Sequence, residues 1–325
     1  MKIAIVTDKS RENLISLEEA QLEDKQKLET VQSIKRILSQ EYDCLEFAAD
    51  ENIIKSLQEE NIDLVFNLCN GIEGFSRAQL PAMLEFANIP YTSSSILGHA
   101  LAINKVFAST VFKSNNIPTP DFISVNTMDD LEDIQMDYPI LIKPSDEGSS
   151  RGIHQDSLVF DFEQLKKKME YSLDMYNPPI MLNQYIEGRE FSIGVVGNGD
   201  DVTILPIQEV DMSELPDGLL KFNSFEVKSY YKSHVNYYLP ARISSEEKEK
   251  IEDVVLKAYK SLLLRDYARV DVILKDGIPY VLEINSLPGL QEKKSSLYRM
   301  AEATDFGYEG LVFKIVDVAR KRYGI

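Results

Sequence analysis

The chain has 325 residues, 44% hydrophobic and 27% charged, with 53 acidic against 35 basic side chains and a net charge of −18. That is enough for two or three modules with sizeable cores, in a composition ordinary for a globular protein. The negative balance argues against nucleic acid and against an anionic membrane surface, both of which call for positive charge, but not against ATP, for which a few lysines and Mg²⁺ set the local field.

The N-terminal KIAIV (2–6) reads as a buried strand. It lacks the apolar core and cleavage site of a signal peptide, so a cytoplasmic location is expected. A polar loop follows, then a helix over about 26–40, with Leu28, Val31, Ile34, Ile37 and Leu38 on one face. CLEFAA (44–49) and IDLVFNLC (62–69) are further strands. RAQLPAMLEFAN (77–88) is helical, with Pro81 in the first turn. This alternation predicts an N-terminal parallel α/β domain over 1–93. A second unit, 94–179, holds a helix over 98–115, a linker at 117–122, the strand YPILIKP ending near Lys143, a small-residue loop at 145–152 and a helix near 161–174. The prolines at 178 and 179 mark its end. The third unit, 180–325, is rich in strands and carries helices near 245–264 and 308–323. No stretch reaches the ~18 apolar residues of a membrane helix. Cys44 and Cys69 show no metal or redox spacing and fit a reduced compartment. His99, His154 and His234 are scattered, which argues against a zinc site or a His-based triad.

The stretch RVDVILKDGIPYVLEIN (269–285) carries the most chemistry. Asp-Gly between alternating apolar runs signals a β-hairpin. A two-residue loop at Asp276-Gly277 would pair Asp271 with Leu282 and send Glu283 to the opposite face. A three-residue loop, Lys275-Asp276-Gly277, pairs Leu274 with Ile278 and sets Arg269 against Glu283. It also turns Arg269, Asp271, Glu283 and Asn285 to one face, so a three-residue loop with a bulge at Gly277 is expected. Two carboxylates and an amide oxygen suit Mg²⁺ bound with phosphate oxygens. The plainer reading is a solvated face with one Arg–Glu pair.

A second constellation is KPSDEGSSRG (143–152). A strand delivers Lys143. Gly148 and Gly152 allow unusual φ, and Ser149 and Ser150 add hydroxyl donors, so the loop suits a nest of amides around phosphate oxygens. It matches neither a Walker A nor a dinucleotide-binding glycine pattern, and the plainer reading is a flexible turn. Lys105, in a mostly apolar helix, and Lys228, among aromatics, read alone as snorkelling side chains. Glu190 reads alone as a solvated strand-end carboxylate.

In order along the chain, DLVFNLCNGIEG, RAQLPAMLEFANIPYTSSS, INK, YPILIKPSDEGSSRGI, NQYIEGREF, FEVK, YARVDVIL and YVLEINSLPGL resemble the ATP-grasp superfamily, and within it the D-alanine–D-alanine ligase-like enzymes. The resemblance implies a three-domain ATP-grasp fold, α/β at the N-terminus and α+β in the two domains that clasp ATP. It implies that Lys105 and Lys143 contact the nucleotide phosphates with Ser150 in the same loop, and that Lys228 reaches the terminal phosphate. Asn183, Gln184, Tyr185 and Ile186 would hold adenine through the backbone, and Glu190 would hold the ribose. Asp271, Glu283 and Asn285 would bind two Mg²⁺ ions, with Mn²⁺ as an alternative. Arg269 would stabilise the oxyanion, and Ser149 would lie in the closing loop. The implied reaction is amide formation between small amino acids through an acyl phosphate, in a cytoplasmic enzyme of cell-wall peptidoglycan synthesis, commonly a homodimer.

The substrate end departs from the pattern of those enzymes. Thr7-Asp8 stands at the usual Gly-Gly turn, with Glu12 spaced like the residue that holds the first amino acid's ammonium. Asn70-Gly71-Ile72-Glu73-Gly74 replaces HGxxGEDG, and Ser229 stands where a tyrosine is usual. The segment after Asn285 is about two residues longer than usual, with Ser296 and Leu297 placed to cover the acceptor's carboxylate. Another amino acid or a peptide as substrate remains an alternative, as does a small-molecule kinase of the ATP-grasp type.

Overall fold

The computed structural model describes residues 1–13, 17–71, 76–132, 134–148 and 150–325. The expected Ser149, Ile72, Glu73 and Gly74 lie outside them. Among the described residues the chain forms three sheets.

The first sheet is parallel: β1 (Lys2–Asp8) lies between β2 (Asp43–Ala49) and β3 (Leu64–Asn67). Ile3, Ala4, Ile5 and Val6 are all fully buried, because helices cover both faces; hence the unbroken apolar run. On one face lies α1 (Leu17–Leu38), which begins nine residues before the expected 26. On the other lie α2 (Ile53–Glu59), unassigned from sequence, and α3 (Gln79–Phe86). The α2 helix spans only two turns, without a side-chain N-cap, so it leaves little local signal.

A single helix was expected over 98–115; there are two, α4 (Ile96–Ile103) and α5 (Lys105–Ser114). Asn104 takes extended angles (φ −88°, ψ 106°), and its side chain accepts from the Phe107 N–H, capping α5. The second sheet is antiparallel, ordered β4 (Phe122–Val125), β7 (Ile180–Gln184), β5 (Ile140–Pro144), β6 (Leu158–Val159), and packs on α6 (Phe162–Met175). It therefore continues past the expected boundary at residue 179.

The third sheet has six strands: β8 (Arg189–Asn198), β9 (Asp201–Ile204), β10 (Gln208–Asp211), β11 (Asn236–Tyr238), β12 (Tyr267–Lys275) and β13 (Ile278–Asn285). A short helix, α7 (Phe225–Tyr230), precedes β11, and α8 (Ser245–Ser261) lays Ile251, Val255 and Ala258 across the sheet. The chain ends in α9 (Ser296–Glu302) and α10 (Gly307–Tyr323). Helix α10 turns back onto the first sheet, where Leu311, Val312, Ile315 and Val316 join Ile3, Ile5, Ile34 and Leu38 in one core. Each fully buried aliphatic side chain contributes about 1.5–3 kcal/mol, so the first and third units stabilise each other.

Candidate active site

The hairpin corrects one expectation and keeps its consequence. Lys275 pairs with Ile278, so the loop is two residues, not three. Asp276 (φ 51°) and Gly277 (φ 74°) are both left-handed, the requirement of a type I′ turn, whose twist matches that of the strands. The bulge lies further along, where pairing steps from Val272–Val281 to Asp271–Glu283 and leaves Leu282 as the extra residue. That residue shifts the alternation by one. Arg269 therefore stands opposite Asn285, not Glu283, and all four polar side chains share a face.

Asp271 is nearly buried. Arg269 grips it with two nitrogens, Nε to Oδ1 at 2.9 Å and Nη2 to Oδ2 at 2.6 Å, and the Ser192 hydroxyl donates to Oδ1 at 2.6 Å. Burial works against the Arg269 charge, but Asp271 and then Glu283 outweigh it, so Arg269 titrates above its ordinary value. Asn285 Oδ1 accepts from Arg77 Nη1 at 2.8 Å and from the Leu287 N–H at 3.1 Å. Burial also opposes ionisation of Glu283, yet Lys105, Lys228, Arg269 and Lys143 hold its pKa below the ordinary value. Among the described residues no donor reaches its carboxylate.

A cleft between the second and third sheets joins Lys143, Ser150, Asn183, Gln184, Tyr185, Ile186, Glu190, Lys228, Asp271 and Glu283. Lys143 is 9% exposed, and burial brings its pKa to about 8, with Lys105 pushing the same way and Glu283 resisting. Lys105 opens α5. Its N–H donates to Ser145 O at 2.8 Å and its ammonium to Glu147 O, while burial lowers its pKa. Glu190 is not a solvated strand end: burial first, then Asp271, raise its pKa to about 7, and Asn223 Nδ2 donates to it. The Gln184 and Tyr185 amides donate to Asp121 O and Pro139 O. That leaves Ile186 as the N–H of this stretch without an acceptor among the described residues.

Ser150 is left-handed (φ 61°), and its hydroxyl donates to Asn223 O at 2.9 Å; it clamps the 220–226 segment instead of standing free. Gly152 is also left-handed, and a Cβ there would meet Pro144 at 2.5 Å. Gly148 has no such requirement, with nothing within 4 Å of a Cβ.

One further cavity adjoins this cleft, and another adjoins that one. The first, of about 320 Å³, shares Asn223 and Lys228 with the cleft and is lined by Arg269, Ser296, Leu297 and Arg299. Leu297 is 1% exposed, its side chain in the core. The other, of about 280 Å³, meets the second at Pro288 and Gly289 and is lined by Asp8, Arg11, Glu23, Lys27, Arg77 and Arg151. Glu12 is exposed and lines none of these cavities; the carboxylates present are Asp8 and Glu23. Arg11 and Arg151 both bind Glu23, Arg151 at 3.4 Å. Asp8 accepts from the N–H groups of Asn70 (3.0 Å) and Gly71 (2.8 Å). Sequence reading missed Arg77, Arg151, Glu23 and Asn223; Arg77 alone carried a signal, as a lone cation heading an apolar helix.

Among the described residues no cluster of three or more His, Cys, Asp or Glu forms. The hairpin face nonetheless fits a hard divalent cation, because Asp271, Glu283 and the Asn285 amide are oxygen donors and the Glu283 carboxylate has no donor on it among the described residues. No helix among the described residues is long and apolar enough to cross a membrane.

Residues 111–317 match the family model described as D-ala D-ala ligase C-terminus. The chain is 32% identical over 293 residues to the D-alanine–D-alanine ligase of Carboxydothermus hydrogenoformans, covering 87% of this chain and 89% of that one. The crystal structure of D-alanine–D-alanine ligase from Bacillus anthracis complexed with ATP superposes with a TM-score of 0.76 at 23% identity, over 100% of this chain and 99% of that one. That of the VanG D-Ala:D-Ser ligase from Enterococcus faecalis gives 0.75 at 19% identity, over 98% and 99%.

Proposed function

The chain belongs to the D-alanine–D-alanine ligase family, and we propose from this membership and its three joined cavities that it activates one small amino acid with ATP and couples it to the amine of a second. It is an ATP-dependent ligase. D-Alanine is the leading candidate for the activated partner, in a cytoplasmic enzyme of cell-wall synthesis that assembles as a homodimer.

ATP lies in the first cleft, its adenine against the Ile186 N–H, its ribose on Glu190 and its phosphates under Lys105, Lys143 and Lys228. Asp271, Glu283 and Asn285 would hold two Mg²⁺ ions, or Mn²⁺, which when bound neutralise charge on the transferring phosphoryl group. The carboxylate donor occupies the cavity lined by Arg77, with Asp8 or Glu23 facing its ammonium in the role expected of Glu12. Its carboxylate oxygen bonds to the γ-phosphorus as the bond to the β-phosphate oxygen breaks. The acceptor, its α-carboxylate over Ser296 and Leu297, then attacks the acyl carbon through its neutral amine, which gives up a proton to the departing phosphate. Arg269 meets the developing oxyanion, and inorganic phosphate leaves. Loop 145–152, with Ser149 in it, and segment 220–226 shield the acyl phosphate from water.

The observation that carries this reading is the adjacency of the cavities, with Asn223 and Lys228 shared by the nucleotide and acceptor spaces and Arg269 on the acceptor wall. The test is a screen of paired D- and L-amino acids with Mg-ATP, reading phosphate release and product mass. Amide formed with ADP supports the ligase. ADP formed with a phosphorylated hydroxyl compound and no amide would replace it with a kinase.

A further inference from the structure

The acceptor cavity carries a charge pattern that one small neutral amino acid does not use. Among the described residues five cations line it, Lys228, Lys232, Arg269, Lys294 and Arg299, and no Asp or Glu does, in a chain where acidic side chains outnumber basic ones by 53 to 35. Arg269 is matched by Asp271 at 2.6 Å and Lys294 by Glu29 at 2.9 Å. Among the described residues no carboxylate lies within ion-pair distance of Lys228, Lys232 or Arg299.

Arg299 is held by neutral groups alone. Its Nε donates to Gln208 Oε1 at 2.8 Å, its Nη1 to Lys294 O at 2.9 Å and its Nη2 to the Ser296 hydroxyl at 3.4 Å, and its guanidinium carbon lies 4.4 Å from the centre of the Tyr237 ring. Gln208 is fully buried, and its Nε2 has no partner among the described residues. A glutamate there would neutralise Arg299; the amide orients the guanidinium and leaves its charge available. On the proposed reaction Lys228 serves the phosphoryl group, Arg269 the oxyanion, and Ser296 with Leu297 the acceptor's α-carboxylate. Arg299 and Lys232 then remain without an anion.

We propose that the acceptor of this ligase is an amino acid carrying a second acidic group on its side chain, held by Arg299 and Lys232 at the wall of the acceptor cavity. This rests on the ligase reading and adds the acceptor's class. The donor cavity contrasts with it: Asp8 and Glu23 face Arg11, Lys27, Arg77 and Arg151, a mixed lining suited to a zwitterion. A charge-assisted bidentate contact to guanidinium is strong and directional, so the side-chain charge itself carries the selectivity.

The test compares isosteric acceptors, glutamate against glutamine and aspartate against asparagine, in both enantiomers, with O-phosphoserine to separate carboxylate from phosphate. Alanine is the donor, and amide is read by mass. The acidic member is expected to have the higher kcat/KM by on the order of 10–100-fold, with that ratio collapsing in Arg299→Gln. Lys232→Gln, at an exposed position, lowers the ratio by about fivefold with no risk to the core. A ratio near one in the wild type, or one untouched by both substitutions, overturns the proposal while amide from neutral acceptors keeps the ligase reading. No amide from any pair removes both.

Discussion

Asp271 stands directly opposite Glu283 only because Leu282 is bulged out of the ladder between β12 and β13. Asp271→Asn and Glu283→Gln keep the packing and remove a charged oxygen donor. Each is expected to reduce amide formation by at least about 10²-fold with an unchanged circular dichroism spectrum. Near wild-type turnover in either variant would show that this face holds no metal.

Arg269 reaches towards the acceptor cavity and ties down Asp271. Arg269→Ala is expected to lower kcat by about 10²–10³-fold, the range for loss of an oxyanion donor. A change confined to KM would make it a binding group.

Lys143 is a buried cation with a pKa of about 8, lowered mainly by burial. Between pH 8 and its ordinary value of 10.5, the unfolded chain holds more protons at this site than the folded one, so stability rises with pH across that window. At pH 7 the buried charge opposes folding. Lys143→Met is expected to raise stability by ~1–3 kcal/mol in denaturant titrations while weakening ATP binding in calorimetry. In the wild type, ATP affinity falls as pH rises above 8, and in Lys143→Arg that fall disappears. A pH-independent affinity in the wild type would move the phosphate site elsewhere.

Glu190 is shifted the other way, to about 7, by burial and then Asp271. From pH 4.5 to 7 the folded chain holds more protons here than the unfolded one, so stability falls as pH rises through that range. Glu190→Gln is expected to flatten that slope and to weaken ATP by about fivefold, one hydrogen bond's worth. A slope unchanged in the variant would assign it to another group.

Arg77 bonds Asn285 from the first unit across to the hairpin, and burial lowers its pKa to about 10. Arg77→Met is expected to cost about 10–100-fold in kcat/KM, as loss of a group that orients a metal ligand does. Full activity would show that Asn285 needs no support from the first unit.

Strand KIAIV, the second half of helix α1 and the polar face of the hairpin were legible in the sequence because their signals are local: an unbroken apolar run, a 3.6-residue period, an Asp-Gly between alternating strands. The alternation of β and α along residues 1–93 likewise implied a parallel sheet. The hairpin's loop length was not legible. A two-residue type I′ turn with a bulge at Leu282 and a three-residue loop produce the same facing of Asp271 and Glu283, and strand alternation alone does not distinguish them.

The break at Asn104, the return of α10 to the first sheet, and the arrival of Arg77 and Asn223 beside Asn285 and Glu190 had to await the folded chain. The last two depend on segments far apart in sequence meeting in space. The order of residues fixes which groups are available and which face of a strand they share. Only the packing of three sheets decides which charges lose their water, and so gives Lys143 and Glu190 their altered pKa values and leaves Arg299 charged at the wall of its cavity.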